Sequence, residues 1–159
     1  QQVTITGLGG ELFDKGLRNL QEINGMFDRY FLQDAMTKWT NAELDGHLVM
    51  NAGNRFFTSL DNEPGARHVS FGAGVDPLGV LQTVVGNRMV HAAENVVSYF
   101  KQTNKYIYDT AFPGNFRVGD MVEVEVSVIA FKSRNKMIKM HCNLRVLTLI
   151  DGIYSKVRR

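Results

Sequence analysis

Residues 116–151 read FRVGDMVEVEVSVIAFKSRNKMIKMHCNLRVLTLID, and the fold turns on this stretch. From Met121 to Phe131, Val122, Val124, Val126 and Val128 alternate with Met121, Glu123, Glu125 and Ser127. A two-residue period of this kind belongs to a strand with one dry face and one wet face. Lys132 to Lys136 is too polar and basic to continue it and reads as a hairpin tip, from which Met137 to Ile150 returns. Asp151-Gly152 then turns the chain towards Ile153 and Tyr154. The segment predicts a long antiparallel hairpin and carries almost no catalytic chemistry.

Working outward from the hairpin, Lys105 to Thr110 alternates aromatic residues and reads as a strand, followed by a turn at Phe112-Pro113-Gly114-Asn115. Val90, Ala93, Val97 and Phe100 fall at helical spacing, with a strand from Asn95 to Lys101 as the alternative. Asp76-Pro77 suits a helix start, Asp as cap and Pro at the first position, and predicts a helix over Leu78 to Val85 that Gly86-Asn87 ends. Asp61 to Gly65 is a turn, and Asn41 to Gly53 favours a strand. Leu12, Phe13, Leu17, Leu20, Ile23 and Phe27 mark an amphipathic helix from Glu11. A break is expected near Gly25, with a second helical piece from Phe27 to Trp39. Gln1 to Thr6 is a short strand. The whole reads as one α+β domain spanning residues 1–159, with an N-terminal helical part and a mainly antiparallel sheet ending in the long hairpin.

Composition narrows the classes. A chain of 159 residues with 44% hydrophobic and 21% charged side chains is neither disordered nor collagen-like. No apolar run approaches the roughly 20 residues that cross a bilayer, so no membrane partner is expected. Cys142 is the single cysteine, which excludes an intrachain disulfide and favours a reducing, intracellular setting, cytoplasmic or nuclear. Its thiol is expected to pack as a small hydrophobe, with His141 on the opposite face of the strand.

Charge is unevenly spread. Residues 1–100 carry 7 basic and 11 acidic side chains, whereas residues 101–159 carry 11 and 5. The densest cluster is the hairpin tip, where Lys132, Arg134, Lys139 and Lys136 place four cations within eight residues beside Phe131 and Met137. Such a cluster suits phosphates. The same charges also keep a hairpin soluble and discourage edge-to-edge pairing.

Catalytic patterns are few. His91-Ala-Ala-Glu94 sets a base and an acid one turn apart on a helix, a spacing fit for acid–base work. His68, Gly72, Gly74 and Asp76 form a second candidate pocket. The glycines of Phe71-Gly-Ala-Gly-Val-Asp-Pro-Leu-Gly miss the dinucleotide fingerprint: the third glycine comes two residues late, and Asp76 would repel a pyrophosphate. GxxxxGK[ST], GxSxG and paired CxxC motifs do not occur. No cofactor and no metal is expected.

Two resemblances follow from residues quoted above. The order His91-Ala92-Ala93, Lys105 to Thr110, Gly119-Asp120, Met121 to Ile150 and Asp151-Gly152 resembles the second half of a hot-dog domain. That likeness covers residues 86–156 and implies an acyl-thioester hydrolase or hydratase, usually dimeric, with His91 and Glu94 as its site. Gly74-Val75-Asp76-Pro77, Val90-His91, Glu94-Asn95 and Gly119-Asp120-Met121-Val122-Glu123 together resemble a pattern in uncharacterised proteins of mushroom-forming fungi, over residues 71–151. This second likeness implies no activity.

The leading expectation is a non-catalytic binding or assembly domain that contacts nucleic acid or another polyanion through its basic C-terminal half, with a homo-oligomer as a further partner state. The alternatives are the hot-dog enzyme and a metal-dependent oxygenase-like double-stranded β-helix using His91 and Glu94.

Overall fold

The computed structural model describes residues 1–31 and 35–152. They form an α+β chain: one long N-terminal helix, a mainly antiparallel set of strands, and the long C-terminal hairpin. The described residues divide into two compact units, one within 2–53 and 127–143, the other from Gln1 and residues 54–126 and 144–152.

In the unit built from residues 2–53 and 127–143, strand β1 (Gln2–Thr6) leads into helix α1 (Glu11–Tyr30). The helix runs straight through Gly16 and Gly25, so the expected break does not occur. Burial of Leu17, Leu20 and Asn24 on one face outweighs the ~1 kcal/mol that each glycine costs. Glu11 and Asp14 in the first turn and Arg29 in the last complement the helix dipole. The second helical piece from Phe27 to Trp39 is also a misreading beyond Tyr30. Residues 35–39 are extended: Met36 bridges Ile138, Thr37 N–H donates to Ile138 O at 2.8 Å, and Ile138 N–H donates to Ala35 O at 2.8 Å. The rest of that piece, residues 32–34, lies outside the described residues.

Strands β2 (Ala42–Leu44) and β3 (His47–Gly53) confirm the strand reading of Asn41 to Gly53, joined through Asp45 and Gly46, both at positive φ. β3 pairs antiparallel with both β1 and β2.

In the other unit, β4 (Thr58–Ser59) pairs with β5 (Met89–Val90), and β6 (Ser98–Asn104) pairs antiparallel with β7 (Ile107–Thr110). The strand alternative therefore holds for the end of Val90 to Phe100, and the helical spacing there is coincidental. The predicted helix over Leu78 to Val85 is absent; a single 3-10 turn at Gln82–Val84 replaces it. Leu78 and Val80 are 86% and 60% exposed, so an amphipathic helix there would have no surface to bury against. Gly79 at φ +69° also interrupts any helical path.

Strands β8 (Met121–Lys132) and β9 (Ile138–Asp151) pair as the predicted hairpin and pass through both units. Val122, Val124 and Val126 are half-buried against exposed Met121, Glu123 and Glu125, as the alternation requires. Met140, Cys142 and Leu144 are buried on one face of β9, after which Leu147, Thr148 and Leu149 are buried without alternation. There β9 also pairs parallel with β6, from Ser98↔Val146 to Lys101↔Leu149. A strand flanked on both edges and covered on both faces reads as a continuous apolar run. The turn after Asp151, Ile153, Tyr154 and the basic tail from Lys156 fall outside the described residues. No helix among the described residues is long and apolar enough to cross a membrane.

Candidate functional site

The hairpin tip is built by its turn. Lys136 N–H donates to Ser133 O at 2.9 Å and Ser133 N–H to Met137 O at 2.8 Å, and Lys136 takes φ +67°. This is a tight turn closed by a left-handed residue, a common three-residue hairpin loop. Ser133 Oγ adds a bond to Met137 O at 2.6 Å and also meets Asn135 Oδ1. These bonds close the loop, and the long side chains of Lys132, Arg134, Lys136 and Lys139 are exposed.

Phe131, Lys132, Ser133, Arg134, Asn135 and Lys139 line one shallow concavity of about 460 Å³. Among the described residues, no ion-pair partner lies within reach of Lys132, Arg134 or Lys139. Phe131 is 45% exposed and meets His141 edge-on at 6.3 Å. The structure therefore gathers three of the four tip cations with an accessible aromatic ring. Lys136 does not line the concavity; its backbone closes the turn instead.

His91 and Glu94 sit differently from the sequence reading. They are not one turn apart on an α-helix: His91 follows β5, and Glu94 lies in a 3-10 turn, Ala93–Asn95. His91 is 2% exposed, its Nδ1 is 2.8 Å from Phe56 O, and its ring lies 4.3 Å from that of Phe71. Glu94 Oε1 accepts a 2.6 Å bond from Thr58 Oγ1 and lies 4.0 Å from Arg55 Nη2, which pairs with Glu63 at 2.8 Å. The Thr58 bond is the largest influence and holds the Glu94 carboxyl below its ordinary range; burial opposes it, and the residue's own backbone N–H and then Arg55 add smaller lowering effects.

The turn itself is pinned by side chains distant in sequence. Asn54 Nδ2 donates to Glu94 O at 2.8 Å and to Leu144 O at 3.2 Å. Arg145 Nη1 donates to Glu94 O at 2.7 Å, and Gln1 Nε2 to Asn95 O at 2.9 Å. Asn95 Oδ1 accepts from Ala92 N–H at 2.9 Å, while Asn95 Nδ2 is buried with no partner among the described residues. A carboxylate held low in pKa and already hydrogen-bonded is a weak general base at neutral pH. Asn54, Thr58 and Asn95 escaped the sequence reading because no local pattern links side chains 36 or more residues apart.

The second candidate pocket does not converge. His68 is exposed and meets Phe71 edge-on at 6.1 Å. Gly74 takes φ +69°, and a Cβ there would lie 2.8 Å from the Phe112 ring, the close approach its glycine suggested. Asp76 has no helix to cap; its carboxylate instead accepts Leu81 N–H at 3.0 Å and Gln82 N–H at 2.8 Å at the start of the 3-10 turn. Gly72 alone lines a crevice of about 200 Å³, with Val75, Val97, Phe100 and Ala111. No group of three His, Cys, Asp or Glu side chains among the described residues is placed to hold a metal ion. Cys142 is 1% exposed, and burial pushes its thiol up, so it is inert.

The chain matches no protein-family model, no curated protein and no solved structure.

Proposed function

We propose that the protein is a non-catalytic binding domain whose hairpin tip grips a polyanion, in the first instance a nucleic-acid strand. The observation that carries this reading is the concavity where Lys132, Arg134 and Lys139, without an ion-pair partner among the described residues, stand beside exposed Phe131. Arg134 offers a planar fork for a phosphate, the lysines supply point charges, and Phe131 offers a face on which a base can stack.

An anisotropy titration with single- and double-stranded oligonucleotides at two salt concentrations tests it. Three phosphate contacts on a single strand predict that log K falls against log[salt] with a slope of about −2. Binding that is absent, salt-insensitive, or unchanged when Lys132, Arg134 and Lys139 are all replaced by Glu overturns the reading.

A further inference from the structure

We propose that Ser133 is a phosphorylation site whose phosphate is held by Lys132, Arg134 and Lys139, closing the concavity to other polyanions. Ser133 itself lines that concavity with the three cations. It is also the only Ser or Thr in the chain with a basic residue on each side, in Lys132-Ser133-Arg134-Asn135-Lys136. No Asp or Glu occurs between Glu125 and Asp151. Protein kinases select acceptors partly by the pattern of charge around the hydroxyl, and this pattern suits one that favours basic residues on both sides.

The acceptor lies where a kinase can reach it. Ser133 is half-buried at the tip of the β8–β9 hairpin, and Lys132, Arg134, Asn135 and Lys136 around it are exposed. Loop tips open locally more easily than the strands behind them. Transfer moves the terminal phosphoryl group of a nucleoside triphosphate onto Ser133 Oγ. The bond from that phosphorus to the bridging oxygen breaks and the Oγ–P bond forms. The hydroxyl proton passes to the kinase's base, and a nucleoside diphosphate leaves.

The modified side chain is freed from its present partners. Ser133 Oγ donates to Met137 O at 2.6 Å and meets Asn135 Oδ1, but an esterified oxygen has no proton for either. The turn keeps its backbone bonds, Ser133 N–H to Met137 O and Lys136 N–H to Ser133 O. A phosphate of charge about −1.5 to −2 with three acceptor oxygens then stands among cations that have no ion-pair partner among the described residues. Charge-assisted hydrogen bonds from Arg134 and the lysines satisfy it. Its charge offsets about two of the three cations, so little attraction is left for a nucleic-acid backbone. That consequence rests on the polyanion reading above, whereas the phosphate site does not.

The full chain, incubated with ATP and a kinase of this specificity, should carry phosphate at Ser133 by peptide mass spectrometry, and Ser133→Ala should carry none at that position. Full chain with phosphoserine placed at position 133 during translation serves two further measurements. Its phosphorus-31 NMR titration should give a second phosphate pKa at least about 0.5 below the ordinary value of about 6. Replacing Lys132, Arg134 and Lys139 by Gln should restore the ordinary value. Its affinity for a single-stranded oligonucleotide should be at least about tenfold weaker than that of the unmodified chain, with the salt slope reduced from about −2 to about −0.7. A lack of transfer to Ser133, or an ordinary phosphate titration that the Gln replacements do not move, overturns the proposal regardless of oligonucleotide binding. Undiminished affinity of the phosphorylated chain overturns it as well. A shifted titration in a chain whose unmodified form binds no oligonucleotide supports the phosphate site and removes the polyanion reading.

Discussion

At the hairpin tip, Lys132, Arg134 and Lys139 project into solvent from a turn closed by Ser133 and its backbone. At the Glu94 turn, Asn54, Thr58, His91 and Asn95 are all buried, and their donors and acceptors are matched almost one for one to backbone or to one another. Both regions are polar, yet they use polarity in opposite ways. Buried groups are committed because leaving one unpaired costs ~1–3 kcal/mol. Unpaired surface cations cost almost nothing, so they remain available to a ligand. Histidine and glutamate residues that look catalytic in a sequence can therefore belong to the scaffold, while charges that look like solubilising decoration can be the functional groups.

The sharpest break of this contrast is Asn54→Ala. It strips a donor from both Glu94 O and Leu144 O inside the protein. The unfolding free energy should fall by about 3 kcal/mol in a urea titration, with oligonucleotide binding by the surviving folded fraction unchanged. A loss below about 0.5 kcal/mol would mean that the turn is held by something other than this amide.

Glu94→Gln acts on the same turn with less force. The Glu94 side chain is 37% exposed, so solvent screening trims its charged bond with Thr58 to about 1 kcal/mol near neutral pH. Its carboxyl has a lower pKa folded than unfolded. The stabilisation is therefore complete above about pH 4.3, the ordinary glutamate value, and disappears as pH falls through the lowered folded value. Wild type should lose stability across that acid window more steeply than Glu94→Gln. Parallel acid limbs in the two proteins would show that the Thr58 bond does not bias the carboxylate.

Lys136→Gly separates charge from backbone at the tip. A left-handed φ costs an L residue ~1–2 kcal/mol, and glycine removes that cost at some loss of chain entropy. The variant should be more stable by about 0.5–1 kcal/mol, and its oligonucleotide affinity should change little because Lys136 lies outside the concavity. A marked drop in affinity would place the fourth cation back in the site.

How much of this was legible in the sequence depends on whether the deciding interaction is local. The β8–β9 hairpin was legible because Val122, Val124 and Val126 announce a half-buried face within a few residues, and the start of α1 was legible for the same reason. The helix expected over Leu78 to Val85 had a start signal in Asp76-Pro77, yet Asp76 bonds the N–H groups of Leu81 and Gln82 and caps no helix. What failed was the unseen condition that the stripe must find a surface to cover. Val90 to Phe100 failed differently: its three- and four-residue spacing is real, but pairing of Ser98 to Lys101 with Val146 to Leu149 decides the conformation, and that partner lies about fifty residues away. The site divides along the same line. Tip cations are neighbours in sequence and could be read directly; Asn54, Thr58, Asn95 and Arg145 meet only after folding.

The smallest effect on stability belongs to the change expected to matter most for function. Replacing Lys132, Arg134 and Lys139 together by Glu alters only exposed side chains that have no ion-pair partner among the described residues, so the unfolding free energy should move by no more than about 0.5 kcal/mol. Turn closure by Ser133 and Lys136 is untouched, and the far-ultraviolet spectrum should overlay that of wild type. Binding, by contrast, should vanish, because carboxylates in the concavity repel the phosphates the cations would hold. Charge-neutral Gln replacements at the same three positions should fall between the two, losing the salt dependence before losing all affinity for single strands if Phe131 stacking contributes. If the Glu and Gln variants bind as wild type does, the tip is a solvated turn, and its charges serve to keep the hairpin from pairing with its neighbours.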